Sequence, residues 1–196
     1  NQQSIIKRTA HIQAIQETCL NKAQSANFKK AAKEANKHFK GGPTDPEHVK
    51  ATAGVGFLVV EGLTTYPIPQ PLEDYKDAEA TGRCQMACID LGNCTLVCAC
   101  IYGWTGAKKG SMEAARTDDI LTIVQMQMDA MDPGPKLIMG DLNGTLDAFP
   151  TITNLIQEHG WTDIGNDPGK CKGKHGTTTC QANENVKKSK NDYINA

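Results

Sequence analysis

The chain has 196 residues, 39% of them hydrophobic and 22% charged, with a formal net charge of -1. That length supports one substantial core and excludes two independent domains, so residues 1–196 are read as a single domain. Near-neutrality excludes a general polycation, and any contact with nucleic acid must come from a local basic patch.

The sequence opens on Asn1-Gln-Gln-Ser without an initiator Met, and a fragment incomplete at both ends is expected. No run of eighteen apolar residues and no signal-type N-terminus appears, so nothing in it reads as spanning or crossing a membrane. Ile5 to Ala14 reads as a short helix, while His11 to Gln16 alternates in apolarity like a strand ending at Glu17-Thr18. Periodicity alone does not separate the two. Asn21 to Lys40 places Phe28, Ala31, Ala32, Ala35 and Phe39 at helical spacing, and Gly41-Gly42-Pro43 supplies a stop. Gly54 to Val60 is a β-branched run bounded by glycine, hence a buried strand. Its glycines lack the following Lys and helix of a phosphate loop. Thr64 to Ala80, with Pro67, Pro69 and Pro71, reads as a surface excursion.

Eight cysteines raise the question of disulfides or zinc, yet no C-x-x-C pair is present. Cys84, Met86 and Cys88 alternate with other residues, as do Leu96, Cys98, Cys100 and Tyr102, with a turn at Asp90-Leu-Gly-Asn93 between them. The pattern predicts a β-hairpin with its thiols on one face, acting as small hydrophobes in a reducing, intracellular compartment. Ser111 to Met131 is a long amphipathic helix capped by Ser111, with Ala114, Leu121, Val124, Met128 and Met131 as its apolar stripe.

Lys136 to Met139 is a short strand broken by Gly140, after which Asp141 and Asn143 emerge where a strand leaves a sheet. Spaced by two in extended backbone, the pair projects from one face and combines an acceptor-only carboxylate with an amide that donates and accepts. That chemistry suits the orienting of a water beside a phosphate, and the same residues are ordinary turn formers. A second helix runs from about Pro150 to His159 and stops at Gly160, and Trp161-Thr-Asp163 turns back toward the sheet. Between Lys170 and Lys190, six lysines and His175 face only Glu184 as an acid. The segment is either a wet loop or a phosphate-binding patch, with Lys172, Lys174, His175, Lys188 and Lys190 as its candidates. Strands alternating with amphipathic helices predict an α/β or α+β fold with helices over sheets.

In order, Ile15-Gln-Glu-Thr18, Gly54-Val-Gly-Phe57, Ile101-Tyr-Gly103, Gly140-Asp-Leu-Asn143, Gly160-Trp-Thr-Asp163 and Ser189-Lys-Asn-Asp-Tyr-Ile194 resemble the endonuclease/exonuclease/phosphatase superfamily. The nearest look is that of its retroelement-type and apurinic-type endonucleases. The resemblance implies a four-layer α/β/β/α sandwich, two sheets face to face with helices outside. It further implies a DNA endonuclease that uses Mg²⁺ (or Mn²⁺), and it leaves open the nucleus as its site of action and fusion to a reverse transcriptase in the full-length protein. Glu17 matches the metal-binding glutamate, Asp141 the residue that activates water and Asn143 the one that holds it. Tyr102 matches a tyrosine reaching the scissile phosphate, and Asp192 the aspartate that orients a catalytic histidine. That histidine belongs to a Ser-Asp-His motif expected beyond Ala196, and neither His159 nor His175 sits at its place. Tyr102-Gly-Trp-Thr105 replaces the Tyr-x-Pro-Asn frequent in the family. A phosphoesterase acting on inositol phosphates or phospholipid headgroups, and a non-cutting nucleic-acid-binding domain, are the alternatives.

Overall fold

The computed structural model describes residues 2–42, 54–164 and 193–195. The N-terminal helix α1 covers Gln2–Ile6, and strand β1 begins only at Ile12 and runs to Ile15. Helix α2, Lys22–Glu34, starts from a reciprocal cap: the Asn21 side chain accepts from the Gln24 N–H at 2.9 Å, and the Gln24 side chain accepts from the Asn21 N–H at 3.0 Å. The expected helix to Lys40 is too long by a turn and a half. Asn36 enters the left-handed region at φ 55, a conformation Asn tolerates, and Lys37–Gly41 becomes strand β2. Sheet pairing claims Phe39, whose ring still meets that of Phe28 edge to face at 4.7 Å.

Strand β3, Gly56–Val60, lies between β1 and β2 and pairs antiparallel with both. The proline-bearing excursion carries more structure than expected: strand β4 at Thr65–Tyr66 and helix α3 at Glu73–Ala80. Tyr75, 2% exposed, anchors α3 by accepting from the Met86 N–H and donating to Glu79. Strands β5, Cys84–Asp90, and β6, Thr95–Tyr102, form the expected hairpin. Their thiols, however, divide between the two faces of the sheet. The turn sets Asp90 opposite Thr95, so even-numbered residues of β5 share a face with odd-numbered ones of β6. Cys84 and Cys88 therefore point under the helices, and Cys98 and Cys100 point between the sheets. All described cysteines are free.

Ser111 caps helix α4, Met112–Asp129, through the Ala114 N–H, and strand β7, Lys136–Asp141, then runs parallel to β6. Gly140 does not break β7. It pairs with Ile101, and a Cβ there would stand 1.9 Å from the Ile101 carbonyl oxygen, so glycine is what lets the two strands approach. Helix α5 covers Pro150–Glu158, strand β8 Thr162–Asp163, and strand β9 Tyr193–Asn195. The larger sheet has the order β4-β5-β6-β7-β9-β8.

Three apolar layers result. Tyr75, Leu121, Val124, Phe149 and Ile152 pack α3, α4 and α5 on one face of the larger sheet. Val55, Phe57 and Val59 meet Ala87, Ile89, Cys98, Cys100 and Met139 between the sheets. Phe28 and Ala32 of α2 close over Ile15, Phe39 and Leu58 on the outer face of the smaller sheet. The architecture is the four-layer α/β/β/α sandwich, and it brings the ends of β1, β6 and β7 together. No described helix is long and apolar enough to cross a membrane.

Candidate active site

β1 reaches the site by being tied to β6. The Cys100 thiol donates to the Ile15 carbonyl at 3.7 Å and accepts from the Gln16 side-chain amide at 3.3 Å. The chain then leaves the strand: Glu17 is in the left-handed region at φ 49, and the Thr18 N–H donates to the Gly54 carbonyl at 3.0 Å. This break turns the Glu17 carboxylate toward Tyr102 at the end of β6. The Tyr102 hydroxyl donates to Glu17 Oε1, and it also lies within hydrogen-bonding reach of the side chains of Thr105 and Asn143. Burial first, and the Glu17 carboxylate second, push the Tyr102 phenol above its ordinary value, so it stays a donor.

Asp141 ends β7 opposite Tyr102. It accepts the Asn143 N–H at 2.9 Å in a tight turn that holds Asn143 at φ 56. The turn expected of this pair is realised, and it stands beside Tyr102. The extended geometry expected for the pair is not realised, because Asn143 is swung into position by the turn rather than by strand alternation. Its amide Nδ2 donates to the Gly103 carbonyl at 2.9 Å, and the Gly103 N–H donates to the Asp141 carbonyl at 2.8 Å. Gly103 lies so close under this turn that a Cβ would stand 2.2 Å from the Leu142 carbonyl oxygen. Burial raises the Asp141 carboxyl above the usual range, the Asn143 N–H opposes that, and the negative charge of Glu17 adds to it. The two carboxylates therefore feel each other across the site.

This donor set fits a hard divalent cation. Two mutually repelling carboxylates gain from a shared positive charge, and among the described residues no group of three His, Cys, Asp or Glu could hold an ion alone. Mg²⁺ is satisfied by one or two carboxylates with the remaining places taken by water and phosphate oxygen.

The structure thus gathers Glu17, Tyr102, Asp141 and Asn143. Asp192, Lys172, Lys174, His175, Lys188 and Lys190 lie outside the described residues; β9 begins at Tyr193, opposite Met139. Sequence reasoning gave no role to Gln16 or Gly103 within their motifs and missed the buried Arg83, whose Nη1 donates to the Gly103 carbonyl at 3.1 Å. Only the neighbours reveal an isolated arginine in this role. A cavity of about 670 Å³, lined by Tyr66, Leu72, Cys94 and Asp132, lies at the other end of the larger sheet, and no residue of the site lines it.

No protein-family model matches the sequence, and no curated protein matches it. The fold does have solved counterparts. The Xenopus laevis APE2 catalytic domain aligns with a TM-score of 0.68 at 12% identity, over 99% of this chain and 76% of that one. Danio rerio (D. rerio) TDP2 complexed with a single-strand DNA product aligns at 0.58 and 17%, over 95% and 70%. An endonuclease/exonuclease/phosphatase family protein from Leptotrichia buccalis aligns at 0.60 and 12%, over 99% and 78%.

Proposed function

The chain has the fold of the endonuclease/exonuclease/phosphatase superfamily, and we propose that it is a divalent-metal-dependent phosphodiester hydrolase that cuts DNA. The observation that carries this reading is the convergence of Glu17, Tyr102, Asp141 and Asn143, from three separate strand ends, into one hydrogen-bonded group. Neighbours of the same fold support a nucleic-acid substrate, among them the TDP2 that holds a DNA product.

Glu17 would hold the cation, with Asp141 beside it left uncoordinated as the base. When bound, Mg²⁺ or Mn²⁺ supplies Lewis-acid polarisation of the phosphate and stabilises the leaving oxygen. Asp141 takes the proton of the attacking water as its oxygen bonds to phosphorus and the P–O bond to the leaving sugar breaks. Asn143 donates from Nδ2 to Gly103, so its Oδ1 remains the acceptor that can orient that water. The Tyr102 hydroxyl, kept protonated, donates to Glu17 Oε1, and it would turn to a phosphate oxygen once the cation takes up that carboxylate. Asp192 would orient a histidine, and the Lys172, Lys174, His175, Lys188 and Lys190 segment would hold backbone phosphates; the exposed Lys108 and Lys109 follow directly from the site loop.

Comparing the natural full-length protein on supercoiled plasmid and on inositol phosphates, both with Mg²⁺, tests the substrate class. Nicking of plasmid with no release of phosphate from the small esters is expected. The opposite preference refutes the DNA reading and leaves the small-phosphoester alternative.

A further inference from the structure

Arg83 opens the hairpin that carries Tyr102, and its side chain is only 6% exposed. Burying a guanidinium is costly unless its donors are used, so what it bonds to is informative. Nη1 donates to the carbonyl of Gly103 at 3.1 Å and reaches that of Tyr102 at 3.5 Å. Its plane also lies against aromatic rings, 5.3 Å from the centre of Tyr102 and 4.4 Å from that of Trp104. Backbone bonds close the same corner: the Tyr102 N–H donates to the Arg83 carbonyl at 2.7 Å, and the Arg83 N–H donates to Thr81 at 3.2 Å. The guanidinium therefore grips the Tyr102–Gly103 turn from below.

The Gly103 carbonyl is the link to the site. Its oxygen takes two donors, Arg83 Nη1 from below and Asn143 Nδ2 at 2.9 Å from above. An Asn side chain can present either its amide nitrogen or its oxygen to a neighbour, and which one faces the substrate decides whether it orients a water or competes with it. A carbonyl fixed in place by a cation selects the nitrogen for Gly103 and leaves Oδ1 for the substrate side.

We propose that Arg83 is a positioning residue that acts through the Gly103 carbonyl, fixing the orientation of the Asn143 amide. Lysine fails in this role because a compact ammonium offers no plane to lay over two aromatic rings while one of its nitrogens reaches two adjacent carbonyls. The inference rests on the proposed role of Asn143, and its test includes a measurement that needs no turnover.

The experiment uses Arg83→Lys and Arg83→Gln in the natural full-length protein, with folding checked by thermal melting. In ¹⁵N NMR spectra the Asn143 side-chain amide pair should shift in both variants, while resonances of helix α2, on the far layer, stay in place. On plasmid with Mg²⁺, kcat should fall about tenfold to a hundredfold with KM and Mg²⁺ affinity within about twofold of wild type. Adding Asn143→Ala to Arg83→Lys should cost no more than Asn143→Ala alone, since both act on one interaction. An unmoved Asn143 amide, or losses that multiply in the double variant, overturns the proposal. If neither Arg83 variant folds, the unaltered arginine is read instead: its guanidinium N–H signals must shift in Asn143→Ala, because the two side chains share one acceptor, and fixed signals overturn the proposal. If wild type shows no turnover while the Asn143 amide still follows Arg83, the functional reading fails and the positioning stands.

Discussion

Replacing Asp141 with Asn and, separately, with Ala separates chemistry from turn formation. Asn keeps an oxygen where Asp141 Oδ1 accepts the Asn143 N–H at 2.9 Å, so the turn persists. It removes only the charge and the capacity to accept a proton. Ala removes the acceptor as well, and a hydrogen bond to a charged group is worth about 1.5–3 kcal/mol. In a chain of this size about 1 kcal/mol moves Tm by roughly 2–4 °C, so Asp141→Ala should melt roughly 3–12 °C below wild type. Asp141→Asn should melt no lower than wild type in EDTA, since it removes one of two carboxylates that repel each other. Loss of a general base costs about a hundredfold to ten-thousandfold in rate, or about 2.7–5.5 kcal/mol of transition-state stabilisation. Both variants should therefore lose plasmid nicking by that factor per folded molecule, while only Ala loses stability. The measurements are thermal melting by circular dichroism and nicking rates corrected for the folded fraction. An Asp141→Asn protein that nicks at the wild-type rate would refute the assignment of Asp141 as the proton acceptor.

Other outcomes follow from packing and capping. Gly103→Ala places a methyl 2.2 Å from the Leu142 carbonyl, backbone against backbone, and should cost about 1–3 kcal/mol in urea unfolding; an unchanged midpoint contradicts the close approach. Ser111→Ala removes the acceptor for the Ala114 N–H at 3.1 Å and should cost about 1 kcal/mol, read as a fall in Tm of a few degrees. Burial pushes the Cys98 and Cys100 thiols up to about 12, so at pH 8 only about one in ten thousand is thiolate, whereas Cys94 is exposed. Peptide mass spectrometry after native iodoacetamide treatment should find Cys94 alkylated and Cys98 and Cys100 not; equal labelling would contradict the placement of the hairpin between the layers.

What was legible in the sequence is what depends on local chemistry. Ser111 announces α4, the β-branched run announces β3, and Gly160 closes α5. Asp141 and Asn143 could be singled out because they emerge where the hydrophobic run of β7 gives way to polar residues, whereas Glu17 and Tyr102 stand out only through the resemblance of their motifs. Several features depend instead on partners distant along the chain. Phe39 fits helical and strand periods equally, and only pairing with β3 decides for the strand. The face on which each thiol lies follows from the register Asp90↔Thr95, which a shift of one residue would reverse. Gly140 looks like a strand breaker until Ile101 is placed 1.9 Å from its missing Cβ. Arg83 has no motif at all, because its role is defined by the carbonyls of Tyr102 and Gly103, nineteen and twenty residues later.

The central claim is that these four side chains form a phosphodiesterase site organised around a cation at Glu17, and metal-dependent nicking tests it most directly. Supercoiled plasmid is incubated with the natural full-length protein and with its Glu17→Gln variant across a Mg²⁺ titration, with EDTA controls. Wild type should nick only when Mg²⁺ is present, and Glu17→Gln should need a higher Mg²⁺ concentration for half-maximal rate while melting like wild type in EDTA. Cleavage at full rate in EDTA, or a Glu17→Gln variant with an unchanged Mg²⁺ requirement, would contradict the account.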